Sequence, residues 1–103
     1  MPFTKGFETP EDLTDHFIRH PEFGVATELE YLELADTFLG GPLDPVTTRQ
    51  CMRSNGDLLR YNEATEEFGV LRRDGIIKTY FRPDPAEHSQ GSNLTYFFSE
   101  CRK

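Results

Sequence analysis

The first part of the chain places its apolar residues with a helical period. Thr9 can cap a helix, Pro10 suits the first helical turn, and the acids that follow favour the positive end of the helix dipole. We predict a helix from Pro10 to about His20, ended by the proline at position 21. Its inward face, an arc of about 100° on a helical wheel, holds both of its histidines. The residues on that arc are Leu13, His16, Phe17 and His20.

A second helix is predicted from about Ala26 or Thr27 to Leu39. Its apolar positions follow helical spacing, and the next residues, Gly40-Gly41-Pro42, end it. The residues with that spacing are Leu29, Leu32, Ala35 and Leu39.

After position 45 the hydrophobic period changes to that of strands. Asn55-Gly56 and Asp74-Gly75 are typical of hairpin turns. We predict four strands, at residues 49–54, 58–62, 68–72 and 76–82. Simple alternation in the fourth strand would place Ile77, Thr79 and Phe81 on one face and Ile76, Lys78 and Tyr80 on the other.

The end of the chain is predicted to be a polar loop at residues 84–93, followed by a short helix or strand. The whole pattern indicates a single α+β domain over residues 1–103. Its expected architecture is two N-terminal helices packed on a four-stranded antiparallel sheet, with the short last element after it.

Charge is distributed unevenly between the two parts of the chain. The net charge is −7, and residues 1–45 contain ten acids against Lys5 and Arg19. Residues 46–103 contain nine basic residues against eight acids, so their net charge is +1. A polyanion would therefore bind only locally, in the second part, whereas the acidic part could meet a basic partner or keep the domain soluble.

The cysteines and the hydropathy of the chain give only weak evidence on its cellular compartment. Cys51 and Cys101 lie fifty residues apart without a CxxC pattern, which favours two ordinary thiols. A disulfide between them, joining two strands or a strand and a helix, stays open. No apolar run is long enough for a membrane span, and the N-terminus lacks a signal pattern. We expect action in the cytoplasm, either as a cytoplasmic protein or as the C-terminal part of a secreted toxin.

Two groups of side chains could carry chemistry. The imidazoles of His16 and His20 titrate near neutral pH and so can move protons. Their i, i+4 spacing also resembles half of a zinc site, completed by His88 or a cysteine, although His16 does not begin an HExxH motif. The second group is basic and hydroxylic, and it would bind phosphate and stack on a base. It comprises Arg60, Lys78, Thr79, Tyr80 and Arg82.

A longer string points to a family. The run GDLLRYNEATEEFGV at residues 56–70, then DGIIKTYFRP at residues 74–83, resembles a segment of the barnase–EndoU–colicin–RelE-like bacterial toxin nucleases. These nucleases occur at the C-termini of contact-dependent inhibition toxins and in phage-borne relatives. The upstream His16-Phe17, His20 and Glu22-Phe23-Gly24 are similar to the helical part of that group.

The resemblance implies RNA cleavage, often of transfer RNA, without a metal or other cofactor. The ribose 2′-OH attacks the adjacent phosphate and leaves a 2′,3′-cyclic phosphate. It also implies a cognate immunity protein, because a producing cell must block its own nuclease. Carried over by position, His16 is the main acid or base and His20 the second candidate. Arg60 and Lys78 stabilise the phosphorane, and Thr79 and Tyr80 orient the substrate. Thr65 matches the motif, with a role either in substrate binding or only in the turn, and Arg82 is a further substrate-binding candidate.

Two other interpretations remain open at this stage. A catalytically silent module of the same fold would use its acidic half to bind a basic protein. A zinc-binding regulator would use the histidines.

Overall fold

The computed structural model describes residues 2–103, and within them helices flank one antiparallel sheet. The N-terminal helices are α1 (Pro10–Arg19) and α2 (Glu28–Gly40), joined through a 3-10 turn, Pro21–Phe23. The strands are β1 (Thr48–Met52), β2 (Leu58–Asn62), β3 (Phe68–Leu71) and β4 (Ile77–Phe81). Two further helices follow, α3 (Pro85–His88) and α4 (Asn93–Cys101).

The strands form a meander in the order β1-β2-β3-β4, with antiparallel pairing throughout. The N-terminal segment runs beside β4 and makes a parallel bridge between Phe7 and Ile77. Asp36 of α2 anchors this segment, because its carboxylate accepts hydrogen bonds from the backbone of Phe3 and from the backbone and hydroxyl of Thr4. The free edge of β4 is therefore partly covered near its start.

Helix α2 packs on one face of the sheet, and α1 packs against α2. The core between them is built of fully buried rings and aliphatic chains, among them Tyr31, Leu39 and Tyr80. Gly69 of β3 allows the close approach of α2, since a Cβ there would lie 2.9 Å from Cδ2 of Leu39. Thr27 caps the start of α2, as Thr9 caps α1.

Helix α4 covers the opposite face of the sheet and forms a second core. Phe97 packs there against residues of β2 and β3, including Tyr61 and Phe68. Cys101 is disulfide-bonded to Cys51 of β1, with the two Cα atoms 6.2 Å apart. The expectation of two free thiols is therefore wrong: the return of α4 across the sheet brings the distant cysteines together, and separation in sequence cannot reveal that.

Two details of the predicted elements are corrected. A register shift between Val70 and Leu71 interrupts the alternation of β4, so Ile77 and Tyr80 both lie in the α2-facing core. Simple alternation had placed these two residues on opposite faces. The predicted polar loop at 84–93 contains the short helix α3, which Asp84 caps. The last element is a helix rather than a strand, with Ser92 as its cap.

The predicted α+β class with four antiparallel strands in one sheet is confirmed. Within residues 2–103, no helix has both the length and the apolar character that a bilayer crossing requires.

Candidate active site

His16 lies on the inner face of α1 and is almost completely buried. Its ring packs against Phe7, with centroids 5.0 Å apart, and lies 5.8 Å from the ring of His20. Nε2 is 3.6 Å from the carboxylate of Asp12, whereas Nδ1 is buried and has no hydrogen-bond partner within residues 2–103. Burial lowers the pKa of His16, and the nearby Asp12 opposes this only in part. A neutral imidazole this deep is positioned to support its neighbour rather than to reach a substrate.

His20 sits where α1 ends and is more accessible. Its side chain is 19% exposed, and Nδ1 lies 3.3 Å from Oε2 of Glu22. Its ring stacks on Phe81 of β4 with centroids 5.2 Å apart, which fixes the plane of the imidazole. Nε2 makes no hydrogen bond within residues 2–103 and, unlike Nδ1 of His16, is not among the buried unpaired atoms.

The pKa of His20 is lowered, because burial outweighs the opposing charge of Glu22. The ring is therefore neutral at pH 7. A proton on Nδ1 satisfies the Glu22 carboxylate and leaves the Nε2 lone pair free to accept a proton.

Arg82 completes a cluster around Glu22. Its backbone N–H donates to the Glu22 carboxylate at 3.2 Å, and its Nη1 donates to the Glu22 carbonyl at 2.8 Å. Nε donates to the carbonyl of Thr65 at 3.1 Å, and the guanidinium lies over the ring of Phe23, 4.9 Å from its centroid. Arg82 is exposed, and its Nη2 makes no hydrogen bond within residues 2–103. The structure thus brings together three predicted residues, His20, Arg82 and Thr65.

Thr79 also lies on this side of the sheet. It pairs with Val70 and is half-buried, two residues before Phe81 on the same strand. A two-residue step along a strand is about 7 Å, and no hydrogen bond joins the Thr79 hydroxyl to His20 within residues 2–103. Thr65 itself mainly serves its turn, because its hydroxyl donates to Oε1 of Glu67 at 2.6 Å.

Arg60 lies elsewhere and holds the end of α2. Nη1 donates to the carbonyls of Phe38 at 3.1 Å and Gly41 at 2.7 Å, and Nε donates to the side chain of Gln50 at 2.7 Å. No hydrogen bond or ring contact joins Arg60 to His16 within residues 2–103. His16 and Arg60, to which the resemblance assigns parts in one catalytic centre, are therefore not in contact.

Lys78 and Tyr80 are also engaged in the fold. Nζ of Lys78 lies 3.0 Å from the carboxylate of Asp57, towards the other end of β4. Tyr80 has no exposed surface, and its hydroxyl donates to Glu67. Burial raises the pKa of Tyr80 far above its usual range. Because its ring is enclosed by Phe23, Tyr31 and Phe38, Tyr80 has no free face for a base.

Sequence reasoning missed the importance of Glu22 and Phe81. Glu22 follows His20 by two residues, across Pro21, and only the 3-10 turn that Pro21 begins brings the carboxylate back to the imidazole. The signal available in the sequence was the His-Pro-Glu string, in which proline forbids continuation of the helix.

The zinc interpretation finds no ligand set among residues 2–103, where no group of three or more His, Cys, Asp or Glu is arranged to hold a metal ion. His88 lies apart from α1. Its Nδ1 accepts the backbone N–H of Gln90, its Nε2 contacts Asn93, and its ring stacks on Tyr96. The two cysteines are joined to each other.

Comparison with protein-family models finds no match, and comparison with curated proteins finds no significant relative. The resemblance to the barnase–EndoU–colicin–RelE-like nucleases therefore stays a prediction.

Proposed function

We propose that this domain is a metal-independent ribonuclease of the bacterial toxin type, with the His20–Glu22 pair as its acid–base centre. The observation that carries the proposal is the carboxylate-oriented, neutral imidazole at the edge of β4, beside an exposed guanidinium. This arrangement has the parts needed to activate a hydroxyl and to bind the anion that forms. The family-like string at residues 56–83 supplies the choice of RNA as substrate.

In the proposed reaction, Nε2 of His20 removes the proton of a ribose 2′-OH. The oxygen then attacks the adjacent phosphorus and the bond from phosphorus to the 5′ oxygen breaks. That leaving oxygen takes a proton from solvent water, so the products are a 5′-hydroxyl and a 2′,3′-cyclic phosphate, and the imidazolium later returns its proton to solvent. Glu22 holds the Nδ1 proton and stabilises the imidazolium that forms, as a carboxylate does for histidine in other acid–base pairs. Nη2 of Arg82 stabilises the negative charge on the phosphorane, and the hydroxyl of Thr79 orients the substrate.

The remaining predicted residues take supporting parts in this proposal. His16 packs against His20 and limits the positions its ring can adopt. Arg60 and Tyr80 fix α2 on the sheet, and Lys78 lies outside the catalytic centre. The substrate proposed from the resemblance is transfer RNA.

The test compares two histidines on one helix. Purified protein is incubated with total bacterial RNA in the presence of EDTA, and cleavage rates are measured for wild type, His20→Gln and His16→Gln. Loss of a general base typically lowers the rate by 10²–10⁴-fold. We expect this loss for His20→Gln and a loss below about tenfold for His16→Gln, since removal of a packing neighbour affects only position.

Either of two results would contradict the assignment. Absence of cleavage by the folded wild-type protein, with or without EDTA, refutes the nuclease. If His20→Gln cleaves RNA at the wild-type rate and His16→Gln does not cleave it, the general base is His16 and not His20.

A second candidate function is a catalytically silent module that binds a basic protein. The supporting observation is the outer surface of α1 and α2, where Ile18 is 69% and Leu29 62% exposed among the acids of the −8 segment. Apolar side chains surrounded by charge are typical of protein interfaces. RNA cleavage that depends on His20 would refute the silent module. In the nuclease proposal, the same surface is the place for a cognate immunity protein.

The disulfide between Cys51 and Cys101 supports a proposal about the compartments that the domain passes through. Bridges of this kind persist in oxidising compartments and are rare in the cytoplasm. We therefore propose that the domain is exported as part of a toxin before it acts on RNA in the cytoplasm of a target cell.

A further inference from the structure

The two hairpin turns of the sheet lie side by side at the end of the sheet remote from His20. One turn comprises residues 53–57 and the other residues 72–76, each closed by backbone hydrogen bonds. Gly56, with φ of +94°, brings them together, because a Cβ at this position would lie 2.7 Å from Cδ of Arg73. The stem of Arg73 therefore packs over the neighbouring turn. We call these two turns, together with Lys78, the turn surface.

The turn surface gathers several basic residues in a chain whose net charge is −7. It has four basic residues, Arg53, Arg72, Arg73 and Lys78, against two acids, Asp57 and Asp74. These six residues sum to +2, and the carboxylates of Glu100 and Glu8, which pair with Arg53 and Arg72, offset that sum, so the charge open to a ligand depends on which cations remain unpaired.

Some of these cations are occupied by the fold. Arg53 is 11% exposed and bonds to Asp57 and to Glu100 of α4. Arg72 is also engaged, because its guanidinium pairs with Glu8 at 3.2 Å and with Asp74 at 2.7 Å. Lys78, whose side chain is 44% exposed, lies 3.0 Å from the same Asp57 carboxylate. The Asp57 carboxylate is thus shared by two cations, Arg53 and Lys78. Burial raises its pKa, but hydrogen bonds from Lys78 and Asn55 outweigh burial and lower the pKa overall. Part of the positive charge of Lys78 remains available to a ligand.

Arg73 is available in full. It is exposed, and it makes no hydrogen bond or ion pair within residues 2–103. Arg72 and Arg73 line two adjoining grooves of about 480 Å³ and 450 Å³. Asn55, Asp57 and Asp74 also line the first groove, and Leu58 and Leu71 line the second. Because Asp57 and Asp74 are already paired with cations, Arg73 is the group there that is free to meet an anion. A free guanidinium between two grooves is suited to a phosphate, whose oxygens match its fork of donors.

Strand β4 connects this surface to the proposed catalytic centre. Phe81, on which His20 stacks, ends the strand, and Lys78 lies three residues before it, a distance of about 10 Å along a strand. The turn at residues 72–76 lies further in the same direction. A nucleic-acid strand that presents a phosphate to His20 and follows β4 reaches Lys78 first and Arg73 next.

We infer that the turn surface binds backbone phosphates of single-stranded RNA several nucleotides away from the bond that is cut. This inference rests on the proposed function. The acidic surface of α1 and α2 repels the same polyanion, which favours an approach from the side of Arg82, Lys78 and Arg73. The physical consequence is that this acidic protein prefers RNAs long enough to span both positions over dinucleotides.

The experiment measures binding separately from cleavage. A fluorescently labelled single-stranded RNA is titrated with His20→Gln protein, which should not cleave it, and anisotropy is followed at several salt concentrations. Arg73→Glu is introduced into this background. Arg49→Glu is the matched control, since Arg49 is also exposed but lies on β1, at the opposite edge of the sheet.

We expect Arg73→Glu to weaken binding roughly tenfold at low salt and to reduce the slope of log K against log salt by about 0.7 for each lost phosphate contact. Arg49→Glu should change affinity less than about twofold, as expected for a rim charge away from the ligand. Equal affinities for the two variants would overturn the inference. Absence of salt-dependent RNA binding, or binding of poly-glutamate in place of RNA, would overturn it as well.

A parallel measurement separates this inference from the proposed function. Protein with native His20 is assayed on a dinucleotide and on a long RNA. Arg73→Glu should raise KM for the long RNA and leave dinucleotide cleavage unchanged. If the dinucleotide is cleaved but Arg73→Glu binds long RNA with wild-type affinity, RNA binding by the turn surface is refuted and the proposed nuclease activity is supported. If Arg73→Glu loses binding but wild type cleaves nothing, the nuclease is wrong and an RNA-binding surface remains.

Discussion

Replacement of Arg60 by methionine distinguishes a structural role from the catalytic role that the sequence suggested. The guanidinium donates from Nη1 to the carbonyls of Phe38 and Gly41. The Phe38 carbonyl is among the last four of α2, which have no partner within the helix. Arg60→Met keeps the length and the apolar stem of the side chain, but it removes these two hydrogen bonds, the exposed one to Gln50 and the positive charge near the helix end.

The expected loss follows from those contacts. A hydrogen bond from a charged donor contributes about 1.5–3 kcal/mol, and a cation at a helix C-terminus adds about 0.3–1 kcal/mol. The site is only partly buried, so water can replace some of the lost hydrogen bonds to the two carbonyls. Burial lowers the pKa of Arg60, but the guanidinium stays charged at neutral pH. We therefore expect the free energy of unfolding to fall by about 2–3 kcal/mol.

Urea denaturation, followed by circular dichroism, measures this change. Arg49→Met is the control, because Arg49 makes an exposed ion pair with Glu63 and lies 5.8 Å from the ring centroid of Phe98, and loss of these surface contacts should cost less than about 1 kcal/mol. Activity per folded molecule should be kept in Arg60→Met. A loss of activity by about 10²–10³-fold with unchanged stability would refute this reasoning and make Arg60 a phosphorane stabiliser.

Three further predictions concern the disulfide, the packing of α2 and the dependence of stability on pH. Cys51→Ala/Cys101→Ala should lower the free energy of unfolding by about 4 kcal/mol on the chain-entropy account of a loop of about 50 residues, and an unchanged urea midpoint would contradict it. Gly69→Ala should cost about 1–3 kcal/mol, because the added Cβ meets Leu39 at 2.9 Å; a thermal midpoint equal to wild type would show that α2 moves away freely. The fold lowers the pKa of His16 below 6.5, so the unfolded chain binds more protons than the folded chain as the pH drops through this range. The free energy of unfolding should therefore decrease as the pH is lowered below about 6.5. His16→Gln should make urea midpoints less dependent on pH between about 8 and 5 than in wild type, and equal dependence would remove His16 from this account.

The helices and strands follow from local patterns, which is why the sequence predicts them well. The cap Thr9, the stop at Pro21 and the glycines after Leu39 act within a few residues of the elements they limit. The turn at Asn55-Gly56 likewise fixes a hairpin by its own conformation.

The site depends on contacts that no local pattern contains. The register shift after Val70 turns Tyr80 into the core, although it was predicted to orient substrate. The guanidinium of Arg60 is hydrogen-bonded to carbonyls at the end of α2, a contact that depends on how the helix lies across the sheet. Of the two histidines on one arc, packing against Phe7 buries His16 and leaves His20 at the edge.

The central claim is that Nε2 of His20 takes the proton of a ribose 2′-OH. The most direct test is a pair of identical RNAs, one carrying a single 2′-deoxy sugar at the nucleotide whose 3′ phosphate is cut. We predict that wild-type protein cleaves the all-ribose RNA in EDTA, leaves 2′,3′-cyclic phosphate ends, and leaves the deoxy-substituted bond intact. Cleavage of the deoxy-substituted bond, or cyclic ends produced equally by His20→Gln, would contradict the claim.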